Sequence, residues 1–311
     1  MLAFLIRRLL QAVPTVLAVV LVVFVLFSVV PGSIVSSMSD DGRGAADPQV
    51  VERMKKQLGL DDPVYIRFGA YIARLATGDL GTSFRTREPV TTMLAKRMWP
   101  TLQLIFASMM FAIVIGVPLG FVAALRPGSI ADTISMVVAV SGLSMAKFWL
   151  GLLLMYLFAL KLGWLPSFGY GDGGLKYLIL PAVTLGVSPM ALLARTTRAA
   201  VLEIMTADFV RTARSKGMSE TRLVKWHVMR NALVIILTTI GLQFGALMGQ
   251  AVVVEKLFSW PGIGSLLVDS VLQRDIPAVQ GSIFVVVLFF LAINMLIDVL
   301  YGVIDPRIRY A

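Results

Sequence analysis

The sequence predicts an all-α polytopic membrane protein with six transmembrane helices. Three observations carry that expectation. The chain has 311 residues, is 58% hydrophobic and has a mean hydropathy of +0.84, which is too apolar for a water-soluble domain. Its apolar residues gather into runs of about 20 or more, long enough as helices to cross a hydrocarbon core about 30 Å thick. Those runs lack the period-two alternation of a membrane β-barrel. Helices are then the remaining way to satisfy every backbone hydrogen bond within lipid.

The first span follows Arg7 and Arg8 and runs from Leu9 to Val30, ending at Pro31-Gly32. A secretory signal would have a shorter apolar core closed by small residues, so residues 1–32 read as a retained N-terminal helix with its basic end inside.

Residues 33–98 follow as an extracytoplasmic helical insertion of mixed charge. Asp47 as N-cap, Pro48 at the first helical position and Gly59 past the end bracket one helix, with Val51, Met54 and Leu58 as its apolar stripe. A second helix is expected from Tyr65 to Leu75, before a turn at Gly78-Asp79-Leu80-Gly81. The insertion reads as a cap on the outer face and is too small for a separate enzyme domain.

Residues 99–311 form the core domain, with spans expected near 101–125, 133–160, 178–201, 232–254 and 280–304. An even number of spans returns the chain to its starting side. Arg126 lies on one short loop, and Arg195, Arg198 and a basic central stretch on the other. The opposite loops hold Lys161 with Lys176, and Lys256 with Arg274. The excess of basic residues places the N- and C-termini, Arg307 and Arg309 included, in the cytoplasm. The net charge of +10 is explained by this placement rather than by nucleic acid.

Pro118 and Pro189 lie inside predicted spans, and Gly116, Gly120, Gly142, Gly186, Gly241, Gly245 and Gly249 recur through the apolar runs. Small residues let helices approach closely, so packing is the simple reading for each. Gly241, Gly245 and Gly249 mark one face of the fifth span.

The charged stretch at 203–231 contradicts the apolar pattern around it. It carries Glu203, Asp208, Arg211, Arg214, Lys216, Glu220, Arg222, Lys225 and Arg230. At about 2.5–3.5 kcal/mol each, burying these charges at the bilayer centre would cost upwards of ~20 kcal/mol, so the segment sits in water. Phe209 and Ala213 fall at helical spacing, Gly217 stands where a left-handed C-cap belongs, and Ser219 offers an N-cap oxygen ahead of Glu220. Leu223, Trp226 and Val228 suggest an apolar face on a second short helix. The segment reads as helix, turn at Gly217, and helix with a basic outer face; a solvated loop on anionic lipid is the alternative.

An enzyme finds little to work with here. The chain has no cysteine, no carboxylates at metal-ligand spacing with a histidine, and no glycine-rich phosphate loop ending in Gly-Lys-Ser or Gly-Lys-Thr. His227, the only histidine, lies among Lys225 and Arg230 and reads as a surface or interface residue. Lys147 and Asp298 are expected near the ends of their spans, where snorkelling explains them. No metal or cofactor is expected on this chain.

The 203–231 stretch resembles the cytoplasmic Glu-Ala-Ala loop of ATP-binding-cassette importer permeases, in the form typical of dipeptide and oligopeptide permeases. Arg211-Thr212-Ala213, Gly217, His227 and Arg230-Asn231-Ala232 carry the likeness. Further strings in order support it: Arg7-Arg8 with Pro31-Gly32, Leu58-Gly59-Leu60-Asp61, Gly78 to Ser83, Leu180-Pro181, Gly241-Leu242-Gln243, Val254-Glu255, Phe258 to Gly262, Asp298 with Tyr301-Gly302, and Asp305 to Arg309. Arg211 stands where the general importer motif has Glu, and Arg230 where it ends in Pro; peptide-type permeases share both departures.

The resemblance implies a type I ABC importer permease fold in a bacterial cytoplasmic (inner) membrane. It implies a second homologous permease subunit, two ABC ATPase subunits holding ATP and Mg, and an extracytoplasmic substrate-binding protein as partners. Residues 208–226 would be the coupling helices, with Asp208, Arg211, Thr212, Ala213, Lys216, Gly217, His227, Arg230 and Asn231 in the ATPase-coupling loop. Gly241, Gly245, Gly249, Glu255, Trp260, Pro261 and Gly262 would line or gate the path. Dipeptides, oligopeptides, glutathione and nickel complexes are all substrates within such a family. Two readings from other classes stand beside it: a self-sufficient ion-coupled carrier, and a membrane-anchored scaffold or sensor.

Overall fold

The computed structural model describes residues 2–29 and 63–304. The helix expected between Asp47 and Gly59, the strings at Pro31-Gly32, Leu58 to Asp61 and Asp305 to Arg309, and the Asp298 side chain lie outside what is described. Among the described residues the chain is helical, with one isolated antiparallel bridge between Thr82 and Pro89.

Eleven helices can be named in chain order: α1 Leu2–Val29, α2 Val64–Ala76, α3 Val90–Leu125, α4 Ile130–Ser144, α5 Lys147–Leu154, α6 Leu175–Met205, α7 Asp208–Ser215, α8 Glu220–Leu223, α9 Met229–Leu257, α10 Ile263–Leu272 and α11 Ile276–Ile304. Wider π-helical turns extend α5 over Met155–Lys161 and join α8 to α9 over Val224–Val228. Among the described residues five helices are long and apolar enough to cross a membrane, or six if one bent pair counts as a span. Their exposed surfaces are rich in large apolar side chains such as Leu21, Val22, Phe106, Met110, Ile134, Val137 and Leu242, as hydrocarbon contact requires.

That bent pair corrects the third expected span. Residues 133–160 are not one helix: α4 and the α5 segment meet at 110°, with Met145 and Ala146 extended between them. No proline signals the break. The cause is tertiary: α5 packs on α6 and α9, where a Cβ at Gly151 would lie 2.4 Å from Leu257 Cδ2 and 3.2 Å from Thr184 Cγ2. The prolines Pro118 and Pro189, by contrast, lie within continuous α3 and α6.

The described chain divides into two compact units. In the larger, comprising residues 100–260 with 293–304, α6 is the central helix and packs chiefly on α9 and α4. Small residues set the helix spacing. A Cβ at Gly116 would lie 2.5 Å from the Met190 carbonyl oxygen, one at Gly120 2.2 Å from that of Ala194, and one at Gly186 2.7 Å from that of Ser108. These glycines are packing residues.

The smaller unit comprises residues 2–29 and 63–99 with 261–292. Phe24 of α1 packs against Phe68 and Tyr71 of α2, with ring centroids 5.2 and 5.9 Å apart. Val90, Leu94, Ile263, Leu266 and Ala278 form its buried core. The turn expected at Gly78–Gly81 is present: both glycines have positive φ (77° and 80°), and Asp79 Oδ1 accepts from Gly81 N at 2.9 Å. Asp275, buried between α10 and α11, receives the Ser83 hydroxyl and the Phe84 N–H and so holds the strap that follows this turn.

Candidate functional site

The charged segment has the helix–turn–helix form expected of it. Val210 anchors α7 by burial, while Phe209 is exposed. Asp208 puts a carboxylate at the positive end of α7. At its other end, Gly217 N donates to Arg214 O at 2.9 Å and Met218 N to Ala213 O at 3.2 Å. This pair of bonds is a Schellman motif, and it requires the left-handed conformation that Gly217 adopts at φ +79°. Arg214 then reaches across the turn to Glu220 with two hydrogen bonds of 2.7 and 3.1 Å. These bonds raise the already high pKa of Arg214, which is a fixed positive charge.

Three details differ from the sequence expectation. Ser219 occupies the N-cap position, but its side chain makes no capping hydrogen bond; its carbonyl accepts from Leu223 N instead. Trp226 does not share the buried face with Leu223 and Val228, and is 64% exposed. Leu223 and Val228 are five residues apart, the spacing that a π turn superposes, so Trp226 falls off their face. The second helix is also not a separate short one: residues 220–231 are the opening turns of the helical run that continues to Leu257. High charge density made this stretch look separate from the apolar span.

The surface so built exposes Asp208, Arg211, Thr212, Lys216, Gly217, Arg222, Lys225 and Arg230 together with Phe209 and Trp226. Ala213 and His227 are half-buried, and the His227 carbonyl accepts from Asn231 Nδ2 at 2.7 Å. A basic face with two exposed aromatic rings is chemically suited to docking on a protein surface that carries acidic groups.

Sequence reasoning missed what holds the neighbouring helix. Arg198 near the end of α6 donates from Nε and Nη2 to both oxygens of Asp132 on α4, at 2.6 and 2.8 Å. Gly128 N adds a third bond at 2.9 Å, and Ser129 caps α4 by accepting from Asp132 N. In the sequence Arg198 reads only as a charge that orients the protein. The Ser129–Asp132 spacing was a readable helix start; the partner on α6 was not readable.

The candidate path residues do not form one cluster. Gly241 and Gly245 are buried on α9, whereas Gly249 is exposed with no atom within 4 Å of where its Cβ would lie. Each four-residue step advances 400° around a helix, so the third glycine lies about 80° from the first. Glu255, fully buried, accepts from Thr101 Oγ1 at 2.7 Å. Trp260, also fully buried, donates from Nε1 to Pro100 O at 2.8 Å, with Tyr170 packed edge-on to its ring at 4.8 Å. Tyr170 in turn donates to Gln103 Oε1 at 3.1 Å. Pro261 and Gly262 belong to the smaller unit, where Gly262 stands at the N-cap position of α10.

Comparison with known proteins places this architecture. Residues 116–310 match the family described as binding-protein-dependent transport system inner membrane component, and residues 1–105 match its N-terminal companion family. The chain belongs to this family. It is an ABC importer permease of the dipeptide/glutathione type. The permease is 45% identical over 310 residues to the glutathione transport system permease protein GsiC of Escherichia coli O6:H1, and 44% identical to that of Shigella flexneri serotype 5b, with 100% of both chains covered in each case. Solved structures share its fold. An inward-facing MetNI methionine ABC transporter matches with a TM-score of 0.58 at 21% identity, covering 68% of this chain and 96% of that one. An amino acid ABC transporter with histidines matches with a TM-score of 0.55 at 15% identity, covering 68% and 94%.

One residue of the permease stands elsewhere than its sequence suggested. Lys147 is the first residue of α5, at the break between α4 and α5, and its ammonium donates to Gln250 Oε1 on α9 rather than snorkelling.

Proposed function

We propose that this permease carries peptide-like substrates, of which glutathione is the favoured member, across the bacterial inner membrane using energy from separate ATPase subunits. The observation that carries the reading is full-length similarity to glutathione permeases, in a chain whose charged segment folds as a pre-formed helix–turn–helix. Glutathione is itself a tripeptide, so one path can serve it and short peptides.

In this reading the chain pairs with a second permease, and α7 with the Gly217 turn docks on an ATPase subunit in the cytoplasm. ATP and Mg are held by the two ATPases and none by this chain. An external binding protein delivers substrate to the opposite face, where the 33–98 insertion meets it. Both termini lie in the cytoplasm. Burying α7 and the turn that carries Trp226 against a partner offsets the exposure of Phe209 and Trp226.

The test is gentle solubilisation of the tagged chain, identification of what co-purifies, and reconstitution with labelled glutathione. Recovery of an ATPase pair and a second permease, with ATP-dependent uptake, is the expected result. Lys147 at a helix break is the one observation that favours an ion-coupled carrier, since carriers use ionisable groups within the membrane. Uptake by the chain alone, without ATPases, would overturn the importer reading in favour of that one.

A further inference from the structure

We propose that Lys147 and Gln250 form a carboxylate-binding site for the transported substrate, where the broken third span meets α9. The inference rests on the peptide-class reading above and names the group of the substrate that this chain recognises.

The break lies near the middle of the apolar pair formed by Asp132–Ser144 and Lys147–Lys161, so it puts an ammonium between two apolar helices whose other charged residues, Asp132 and Lys161, stand at the far ends. A lysine there carries a large desolvation cost and is retained where it meets a compensating group. Among the described residues no carboxylate pairs with it. Its partner is the neutral oxygen of Gln250. An ammonium has three donors, so Gln250 orients the group and leaves two protons for another acceptor. The Gln250 amide supplies its own N–H donors at the same place.

The surroundings leave room for a ligand. Gly249, about 100° around α9 from Gln250, leaves the neighbouring strip of that helix open, with no atom within 4 Å of where its Cβ would stand. Both Lys147 and Gln250 are half-buried rather than enclosed. Ala146, the N-cap residue of α5, makes no side-chain capping bond, so the partial positive charge of that helix end adds to the ammonium. An ammonium and an amide donor at an open position select an anionic oxygen pair. Every peptide, glutathione included, presents one as its terminal carboxylate, and a charge-assisted bond to it is stronger than a neutral one.

The test uses the whole importer, with both permeases, both ATPases and binding protein, reconstituted in proteoliposomes. Labelled glutathione and the dipeptide alanyl-alanine are the probes, and the variants are Lys147→Gln and Lys147→Arg. Assembly, ATP hydrolysis stimulated by loaded binding protein, and uptake are read separately. We expect Lys147→Gln to assemble and hydrolyse ATP as wild type does while uptake falls about tenfold or more, the loss that one charged hydrogen bond implies. Lys147→Arg keeps the charge and restores most of the uptake. Unchanged uptake by Lys147→Gln overturns the site. Loss of assembly or of ATP hydrolysis in parallel with uptake also overturns it, and assigns Lys147 to a permanent ion pair with the second permease. Failure of the wild-type assembly to take up either probe overturns the peptide reading itself, and the site with it.

Discussion

Arg198 on α6 holds Asp132 on α4 through two parallel hydrogen bonds, and Asp132 in turn fixes the α3–α4 turn through the N–H of Gly128. The last turns of α6 lead directly into α7, so this fork ties the base of the charged segment to the neighbouring helix. Arg198→Met should lower the melting temperature of the purified chain more than Asp132→Asn does. The first leaves a carboxylate without its cation, whereas the second leaves a neutral amide that still bonds to Gly128 N. The double variant should be less damaged than the two losses added together, and strict additivity in a thermal-shift assay would contradict the coupling.

Gly120 and Gly69 should respond to alanine with opposite signs. At Gly120 a Cβ would stand 2.2 Å from the Ala194 carbonyl oxygen, and backbone cannot yield as a side-chain end can. Gly120→Ala should therefore destabilise by about 1–3 kcal/mol, the range of an overpacked core. Gly69 lies exposed within α2 with nothing in reach, so Gly69→Ala should stabilise by about 0.5–1 kcal/mol through reduced freedom of the unfolded chain. Thermal-denaturation curves of the two proteins check both.

The Gly217 turn isolates a backbone effect. Its φ of +79° suits glycine, and no neighbour lies within 4 Å of a Cβ there. Gly217→Val should cost about 1–2 kcal/mol locally, because the left-handed region disfavours L-residues and β-branched ones most. Uptake should be lost with membrane insertion intact, and Gly217→Asn should retain more uptake than Gly217→Val. Full uptake by the valine variant would remove the turn from the coupling role.

The Arg211 side chain is exposed on α7, while its backbone N–H donates to Ala207 O. Arg211→Glu should reduce ATPase recovery in a pull-down if this basic face meets acidic residues, with stability changed little because the side chain is on the surface. Recovery equal to wild type would count against docking through this face.

Trp260 closes the segment after α9 by bonding to the Pro100 carbonyl. Trp260→Phe retains a ring against Tyr170 but leaves that carbonyl without its indole donor. A loss of about 1–3 kcal/mol is expected from thermal denaturation, with uptake reduced as the segment loosens.

Much of this was legible in the chain itself. The apolar runs fixed the order of the membrane-length helices, because hydrocarbon demands closed backbone hydrogen bonding over a set length, but not the break in the third. Gly217 and the 78–81 turn were legible because positive φ has a local signature in glycine. The charge density between Glu203 and Arg230 marked the aqueous segment for the same kind of reason: solvation cost is a property of composition.

Tertiary packing decided the rest. The break at Met145-Ala146 has no proline to announce it and arises because α5 seats Gly151 against Leu257 and Thr184. The Arg198–Asp132 fork, the Ser83–Asp275 clasp and the Trp260–Pro100 bond each join residues far apart in the chain, and no local spacing encodes such a pair. Lys147 shows the division in one residue. The sequence determined that an ammonium lies in an apolar run, but only the fold decided that it stands at a helix break beside Gln250, because a side chain's partners follow from how helices pack and not from the run that contains it.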